Sequence, residues 1–393
     1  MKDYRIRFDC RLCSGVLTEV LDLGETPLAN ELLTHTDKPQ DCFPLYLCRC
    51  VTCSHTQLPV VVNPERLFCR EYPYRSSTSP VFRKHLDDFA CDVRPKAGGF
   101  IFEVGSNDGY LLAQYKAAGF EVLGCDPADN IANIAELENK VPTLRQFFGK
   151  STLDNWNLAG RKADLVIANN VFAHSDDLSG ITRAVADLLA DDGKFVLECG
   201  YLPDMIAKGR YAVCYHEHLS YHSLLPLWKF FDGFGMSLTD AERVPTQGGS
   251  IRVTVRKGRG QQMSNEAVEL IANETPAACD ISRLAVKIAE DKAEVRALLD
   301  VAKATKQKVC GYGAPAQLTT TCAALGITRA DIAFVVDDSF LKQGKFTPGT
   351  HIPIVPPSAL YTESPDICLI FSANFSADIL NRHADFTGEW ITL

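Results

Sequence analysis

Tyr215, His216, Glu217, His218, Tyr221 and His222 fall within one short run, YHEHLSYH, the most chemically loaded stretch of the sequence. Histidine titrates near neutral pH and a neighbouring carboxylate can tune it, so the run suits acid/base work. Two other readings stay open at this point: a metal site with His216, His218 and His222 as ligands, and a polar surface loop. A second group is the glycine loop Glu103-Val104-Gly105-Ser106-Asn107-Asp108-Gly109, where glycines let backbone approach a ligand. A third is a set of paired thiols. Cys10 and Cys13 form one C-x2-C pair, Cys50 and Cys53 another, and four thiolates brought to one point hold a tetrahedral structural zinc. Cys42 or Cys48 could replace one ligand. A closed shell of four thiolates leaves no open position, so such a metal holds the fold and does no chemistry.

The elements around these groups read as follows. Ile101, Phe102 and Val104 form a short apolar run that breaks into the glycine loop, and YLLAQYKAAG follows with helical spacing. That is strand, loop, helix, with free N–H groups of the helix N-terminus facing a ligand. The next strand, Glu121 to Cys125, ends in Asp126, placed to accept both hydrogen bonds of a ribose diol. A nucleoside is therefore expected. The loop lacks the middle glycine that makes room for a pyrophosphate, which points away from NAD.

After an apolar piece ending in Gln146, Phe147 and Phe148, the run ADLVIANNVFAH sets Asn169, Asn170 and His174 just beyond a strand's carboxyl end. Open α/β sheets bind ligands at that edge. A helix from about Leu178 to Leu189, a turn at Asp191-Asp192-Gly193 and the strand GKFVLECGYL continue the alternation, which predicts a parallel sheet with helices on both faces. Residues 236–256 alternate like two strands around Gln247-Gly248-Gly249, and Asn265 to Lys306 reads as one long helical connector. KVCGYGAPAQLTTTCAALG then repeats strand, loop, helix, with Asp337 and Asp338 as the acidic residues near the ribose position. Upstream, CREYPYRSSTSPVFRKHL puts Tyr72, Tyr74, Ser76 and Ser77 on one polar loop before a helix that begins near Ser79.

With 393 residues the chain suits two or three domains. Its boundaries are expected at 1–70, 71–258 and 259–393. The net charge of -9, with no basic block, argues against nucleic acid and against an anionic membrane surface. No stretch approaches the length of a membrane span and the N-terminus lacks a signal-peptide core, so a cytoplasmic protein is expected. Most of the 15 cysteines, such as Cys91, Cys199, Cys310, Cys322 and Cys368, are singletons in apolar runs and read as small buried side chains.

The glycine loop resembles the first motif of class I S-adenosylmethionine methyltransferases. Taken with the two C-x2-C pairs, YPYRSSTSP, NNVFAHSDDL, YHEHLSY, QGGSIR and KQGKFTPGTHIPI, nearly the whole chain resembles the deoxysugar C-methyltransferase family. The resemblance implies an α/β protein: a small N-terminal zinc-binding domain, a central Rossmann-like class I methyltransferase domain, and a C-terminal α/β Rossmann-like domain that covers the substrate. It implies S-adenosylmethionine and structural Zn2+ as cofactors, and a nucleotide-diphosphate keto-sugar as substrate, methylated on a carbon next to its ketone. A monomer or weak homodimer is expected. By the same resemblance His218 is the base, Glu217 and Tyr215 position it and polarise the carbonyl, and Tyr74 and His174 complete the pocket. Gly105, Asn107, Asp108, Gly109, Asp126, Phe147, Asn169 and Asn170 would hold the methyl donor. Relatives more often carry phenylalanine at His222, histidine at Gln247 and Ala-Lys-Gly at Ala316-Gln317-Leu318, so the lysine of the diphosphate contact is missing here. The rival activities are a zinc hydrolase or lyase using His216, His218 and His222, and a catalytically inactive sugar-nucleotide-binding protein.

Overall fold

The computed structural model describes residues 3–37, 39–69, 72–155, 158 and 160–393. The chain divides into two compact units: Met1–Thr18, Cys48–Met205 and Leu219–Cys279 in the first, and Glu19–Leu47, Ile206–His218 and Asp280–Leu393 in the second.

The first unit is built on a seven-stranded sheet of β1 (Phe100–Val104), β2 (Glu121–Cys125), β3 (Thr143–Leu144), β4 (Ala163–Asn169), β5 (Leu189–Gly200), β6 (Met236–Val244) and β7 (Ser250–Lys257). Their order across the sheet is β6-β7-β5-β4-β1-β2-β3. From β3 to β5 neighbouring strands are parallel, while β7 runs antiparallel to both β5 and β6. β1 is buried at every position, as a parallel strand covered on both faces must be. Its alternate residues feed two cores, Phe100, Phe102 and Val104 on one face and Ile101 on the other. Because β1 is flanked by β2 on one side and β4 on the other, the loops after β1 and β4 meet at the reversal of strand order, the edge where such sheets take ligands.

Several expectations hold. The helices Pro80–Asp92 and Leu178–Leu188 lie where the periodicity puts them, and β6 and β7 form the expected hairpin. Three do not. β5 already begins at Leu189 and runs through Asp191-Asp192-Gly193 with a register shift between Leu189 and Lys194, so the turn signal marks an irregularity inside the strand. The long connector breaks in two, Asn265–Ala272 and Ser282–Thr305; Pro276 lies in the break, where its missing N–H cannot continue a helix. Cys91 is exposed, whereas Cys199, Cys310, Cys322 and Cys368 are buried.

Also in the first unit, Tyr4–Ile6 pairs antiparallel with Val60–Val62, and Thr56–Gln57 lies between Cys48–Arg49 and Ser220–Tyr221. The second unit is organised on a parallel sheet of β8 (Val309–Tyr312), β9 (Val335–Val336), β10 (Ile354–Val355), β11 (Ile367–Ile370) and β12 (Glu389–Thr392), in the order β10-β9-β8-β11-β12. The helices Gln317–Leu325 and Ser376–Arg382 follow β8 and β11. Residues 19–47 join this unit through a bridge from Leu33 to Phe346 and a hydrogen bond from the Gly349 N–H to Gln40 Oε1 (2.9 Å). No helix among the described residues is long and apolar enough to cross a membrane.

Candidate active site

The cysteines form two matched knuckles. In each, the residue after the second cysteine takes a positive φ (Ser14 at 57°, Ser54 at 67°) and donates its N–H to the carbonyl of the first cysteine. The sulfur atoms of Cys10, Cys13, Cys50 and Cys53 all lie within 4.8 Å of one another. The N–H groups of Leu12 and Thr52 point at the sulfurs of Cys10 and Cys50 (3.4 Å each), the outer contacts that favour thiolate over thiol. Four thiolates this close repel unless a cation joins them, so the geometry fits zinc, and Cys42 and Cys48 stand outside the set.

The donor edge is assembled around the loop after β1. Gly105 has φ 64°, and a Cβ there would stand 2.3 Å from Val171 Cγ2 of the loop after β4, so no other residue fits at this crossing. Asp126, at the end of β2, is buried, only 7 % exposed. Its two oxygens accept the N–H groups of Asn107 and Ala128 (2.9 Å each), and burial pushes its pKa up to about 6. Each oxygen keeps a second lone pair for a diol. On β1 and β4, and in the loops after β1 and β3, are buried polar atoms with no protein partner: Glu103 Oε2, Ser106 Oγ, Gln146 Nε2, and Oδ1 and Nδ2 of Asn169. Such atoms are costly unless a ligand or water completes them. Burial, and then the charges of Asp108 and Asp126, hold the Glu103 carboxyl well above the usual range. A set with both spare donors and spare acceptors suits a polar ligand that presents hydroxyl and amino groups, as S-adenosylmethionine does. Glu103 opens the glycine-loop motif, yet sequence reasoning assigned it no role.

Asn107 and Asp108, both expected to hold the methyl donor, also have protein partners. Asn107 Oδ1 accepts from the Ser76 N–H (2.9 Å) and its Nδ2 donates to the Tyr74 carbonyl (3.2 Å). Asp108 Oδ2 accepts from Arg75 Nε (3.0 Å) and the Ser77 N–H (3.2 Å), and its Oδ1 from the Tyr110 N–H (3.3 Å). Both side chains tie the Tyr74 loop to the glycine loop. Gln247, at φ 50°, reaches the Tyr74 hydroxyl with its Nε2 (3.4 Å). Phe68, also missed, gathers three aromatic rings: Tyr72, Phe147 edge-on, and His174 stacked at 5.8 Å. Asn170 takes a positive φ of 55° and donates its N–H to the Glu198 carbonyl (2.8 Å).

Two residues past His174, Asp176 receives Arg5, Arg7 and Arg11. Arg11 lies inside the first knuckle with its side chain fully buried; it donates to Asp176 (3.0 Å) and to the carbonyls of Leu58 (2.7 Å) and Leu219 (3.2 Å). Burial brings the Arg11 pKa down to about 10, and the three guanidinium groups hold Asp176 below the usual carboxylate range despite its own burial.

The second unit holds Tyr215, His216, Glu217 and His218 of the histidine run. His218 Nδ1 lies 2.7 Å from the Val213 carbonyl, which can only accept, so Nδ1 carries a proton. Burial brings the His218 pKa down to about 4, with that bond opposing, so near neutral pH the ring is uncharged and Nε2 holds the lone pair. The Tyr215 hydroxyl donates to it at 2.8 Å. Glu217, 3 % exposed, accepts from Asn30 Nδ2 (2.7 Å); desolvation, not this carboxylate, is the main influence on His218. His216 Nε2 is turned to the Pro44 carbonyl (3.2 Å). His222, in the first unit, is fully buried and stacks on His55 at 5.3 Å. Among the described residues the four cysteines are the one group of three or more His, Cys, Asp and Glu side chains whose donor atoms converge. His216, His218 and His222 form no such group, which goes against reading them as metal ligands.

Family models match almost end to end: "Putative zinc binding domain" over residues 10–68, "Methyltransferase domain" over 80–240 and "C-methyltransferase C-terminal domain" over 245–393. The C-methyltransferase NovU of Streptomyces niveus is 31% identical over 390 residues, covering 96% of this chain and 92% of that protein. The chain belongs to the C-methyltransferase family. The ubiquinone biosynthesis O-methyltransferase of Azorhizobium caulinodans is similar over a shorter stretch, 25% identical over 137 residues, or 35% of this chain and 51% of that one. Among solved structures, magnesium protoporphyrin IX methyltransferase from Synechocystis PCC 6803 with bound SAH covers 47% of this chain and 90% of its own at 16% identity, with a TM-score of 0.36. This C-methyltransferase is thus an S-adenosylmethionine-dependent enzyme with a class I methyltransferase fold and a four-cysteine zinc site. Family membership also displaces the hydrolase alternative.

Proposed function

We propose that the enzyme methylates a carbon next to the ketone of a nucleotide-linked keto-deoxysugar, through an enolate that His218 generates. The observation that carries this reading is the fixed tautomer of His218, whose only available lone pair is on Nε2 with the Tyr215 hydroxyl in front of it. Transfer to carbon needs a carbon nucleophile, and a ketone supplies one when an adjacent proton is removed. The motifs shared with deoxysugar enzymes support the same substrate class.

In this reading Nε2 takes the proton while Tyr215 moves its hydrogen bond from Nε2 to the ketone oxygen, where negative charge develops. A placed donor of this kind commonly contributes ~3 kcal/mol. Glu217, oriented by Asn30, helps to position His218, the residue that follows it. Tyr74 and His174 act as pocket residues, each already held by neighbours, Gln247 for Tyr74 and Phe68 for His174. Asp126, Asn169 and Asn170 hold the donor, which supplies a sulfonium methyl; with Gly105 and Gly109 shaping the loop, the remaining work is alignment of carbon, methyl and sulfur. The zinc has no part in the reaction.

The test is mass spectrometry of nucleotide keto-sugars incubated with enzyme and S-adenosylmethionine. One sugar should gain the mass of a methylene. Substrate held in deuterated water with S-adenosylhomocysteine should exchange its α-hydrogen without methylation. Methylation with no such exchange under any condition would point to a mechanism without an enolate.

A further inference from the structure

In the second unit β8 is central, with β9 and β10 on one side and β11 and β12 on the other. The loops after β8 and β11 therefore flank a reversal of strand order, the crevice where open parallel sheets receive ligands. The two loops meet closely there: Gly313 has φ 87°, and a Cβ on it would stand 2.1 Å from Ser372 Oγ. Into this place comes Arg210, from the segment that carries Tyr215 and His218. Its Nη1 donates to Asn374 Oδ1 at 2.7 Å, in the 3-10 turn Ala373–Phe375 that follows β11.

The cations around this sheet differ in their company. Arg382 is clamped by Asp338 and Asp378 (2.9 Å each), and Lys342 sits between the Ala314 carbonyl (2.9 Å) and Asp337 (3.4 Å). Arg210 has no carboxylate partner among the described residues; its side chain donates to the amide oxygen of Asn374. It is half-buried, and desolvation lowers its pKa. A guanidinium taken partly out of water without a counter-charge is favoured when an anion arrives, and its flat fork matches two phosphate oxygens at once. Arg210 precedes Tyr215 by five residues and His218 by eight on the same segment, so an anion held there would belong to the molecule that reaches the proposed acid/base pair.

We propose that Arg210 binds the phosphate group of the sugar-nucleotide substrate in this crevice, doing the work of the lysine that the family resemblance leads one to expect at position 317, where this chain has glutamine. The proposal rests on the substrate class given above. Arg210 thereby becomes a residue that selects phosphate-bearing sugars over free ones.

The full-length protein is titrated calorimetrically with dTDP, UDP and, separately, S-adenosylhomocysteine, as wild type, Arg210→Met, Arg210→Lys and Arg210→Met/Gln317→Lys. Arg210→Met should weaken the nucleoside diphosphate about 30-fold, about the loss expected for a charged bidentate contact. Affinity for S-adenosylhomocysteine should stay within about two-fold, and KM for the sugar nucleotide should rise with kcat little changed. Arg210→Lys should keep part of the affinity, and adding Gln317→Lys to Arg210→Met should recover some of the loss. If wild type binds a nucleoside diphosphate and Arg210→Met binds it equally well, the proposal fails while the substrate class stands. Loss of S-adenosylhomocysteine affinity together with the diphosphate would make Arg210 a support of the fold and also overturn it. A wild type that binds neither diphosphate and methylates no sugar nucleotide would overturn the substrate class itself.

Discussion

Which nitrogen of His218 holds its lone pair decides what the residue can do, and one carbonyl, that of Val213, decides the nitrogen. His218→Ala should bind S-adenosylhomocysteine as wild type does, yet lose ~100-fold or more in rate, the usual range for a positioned base, and lose α-hydrogen exchange in deuterated water. Exchange at the wild-type rate in this variant would place the base elsewhere. Because burial brings the pKa of His218 down to about 4, the rate should be nearly flat from pH 6 to 8, with no limb at the ordinary histidine value. Asp126 should show the opposite kind of pH effect. Its carboxylate, with a pKa near 6, gains its proton as pH falls through 6 and loses acceptors for a ribose diol. S-adenosylhomocysteine affinity should therefore weaken below pH 6, and Asp126→Asn should be weaker at pH 7.5 by ~1 kcal/mol per bond lost, with that pH dependence gone. Calorimetry at pH 5.5 and 7.5 checks both. The residue types at the site were legible in the sequence, whereas many partners were not: Asp108 meets Arg75 and Glu217 meets Asn30 across separations of 33 and 187 residues, which only the fold brings together.

The knuckles and the loop after β4 are joined by charge. Arg11 is buried inside the first C-x2-C and ends on Asp176, two residues from His174, with Arg7 and Arg5 around the same carboxylate. Asp176→Ala leaves a buried guanidinium unpaired, a loss that typically costs 3–5 kcal/mol, and urea unfolding should show a fall of ~3 kcal/mol. Arg11→Met added to it should recover part of that fall. A change below about 0.5 kcal/mol would mean the cluster is too well solvated to matter. Stripping the metal with a chelator should act along the same line. Cys10→Ser should likewise lower the melting temperature while sparing kcat in the fraction that stays folded, and one zinc per chain should be found by metal analysis before treatment. Elements with a local signal were legible: the glycine loop between β1 and its helix, and the hairpin of β6 and β7. The irregularity at Asp191-Asp192-Gly193 was not, because a turn and a bulge draw on the same residue types.

Four histidines, His55, His216, His218 and His222, are kept neutral by burial, with pKa values well below 6.5. In the unfolded chain they take up protons from about pH 6.5 downward; folded, they refuse until far lower pH. Stability must therefore fall as pH drops through that window. His222, whose pKa is brought down to about 3 between His55 and Phe172, is the clearest case. His222→Phe, the residue more common in relatives, should make the urea midpoint less sensitive to pH between 6.5 and 4.5 and leave turnover intact; an unchanged slope would remove His222 from the account. The division of the chain has another consequence, for synthesis and for engineering. The chain passes back and forth between its two units, in the stretches Met1–Thr18, Glu19–Leu47, Cys48–Met205, Ile206–His218, Leu219–Cys279 and Asp280–Leu393. Residues 19–47 are made well before the β8–β12 sheet and must wait for it before their unit can close. Such long-range closure is slow and leaves apolar surface open in nascent chains, so yield should depend on chaperones more than it does for a methyltransferase made in one run. Chimaeras that exchange acceptor preference between relatives will not come from a single crossover at residue 258: the histidine segment and residues 19–47 have to travel with the C-terminal sheet.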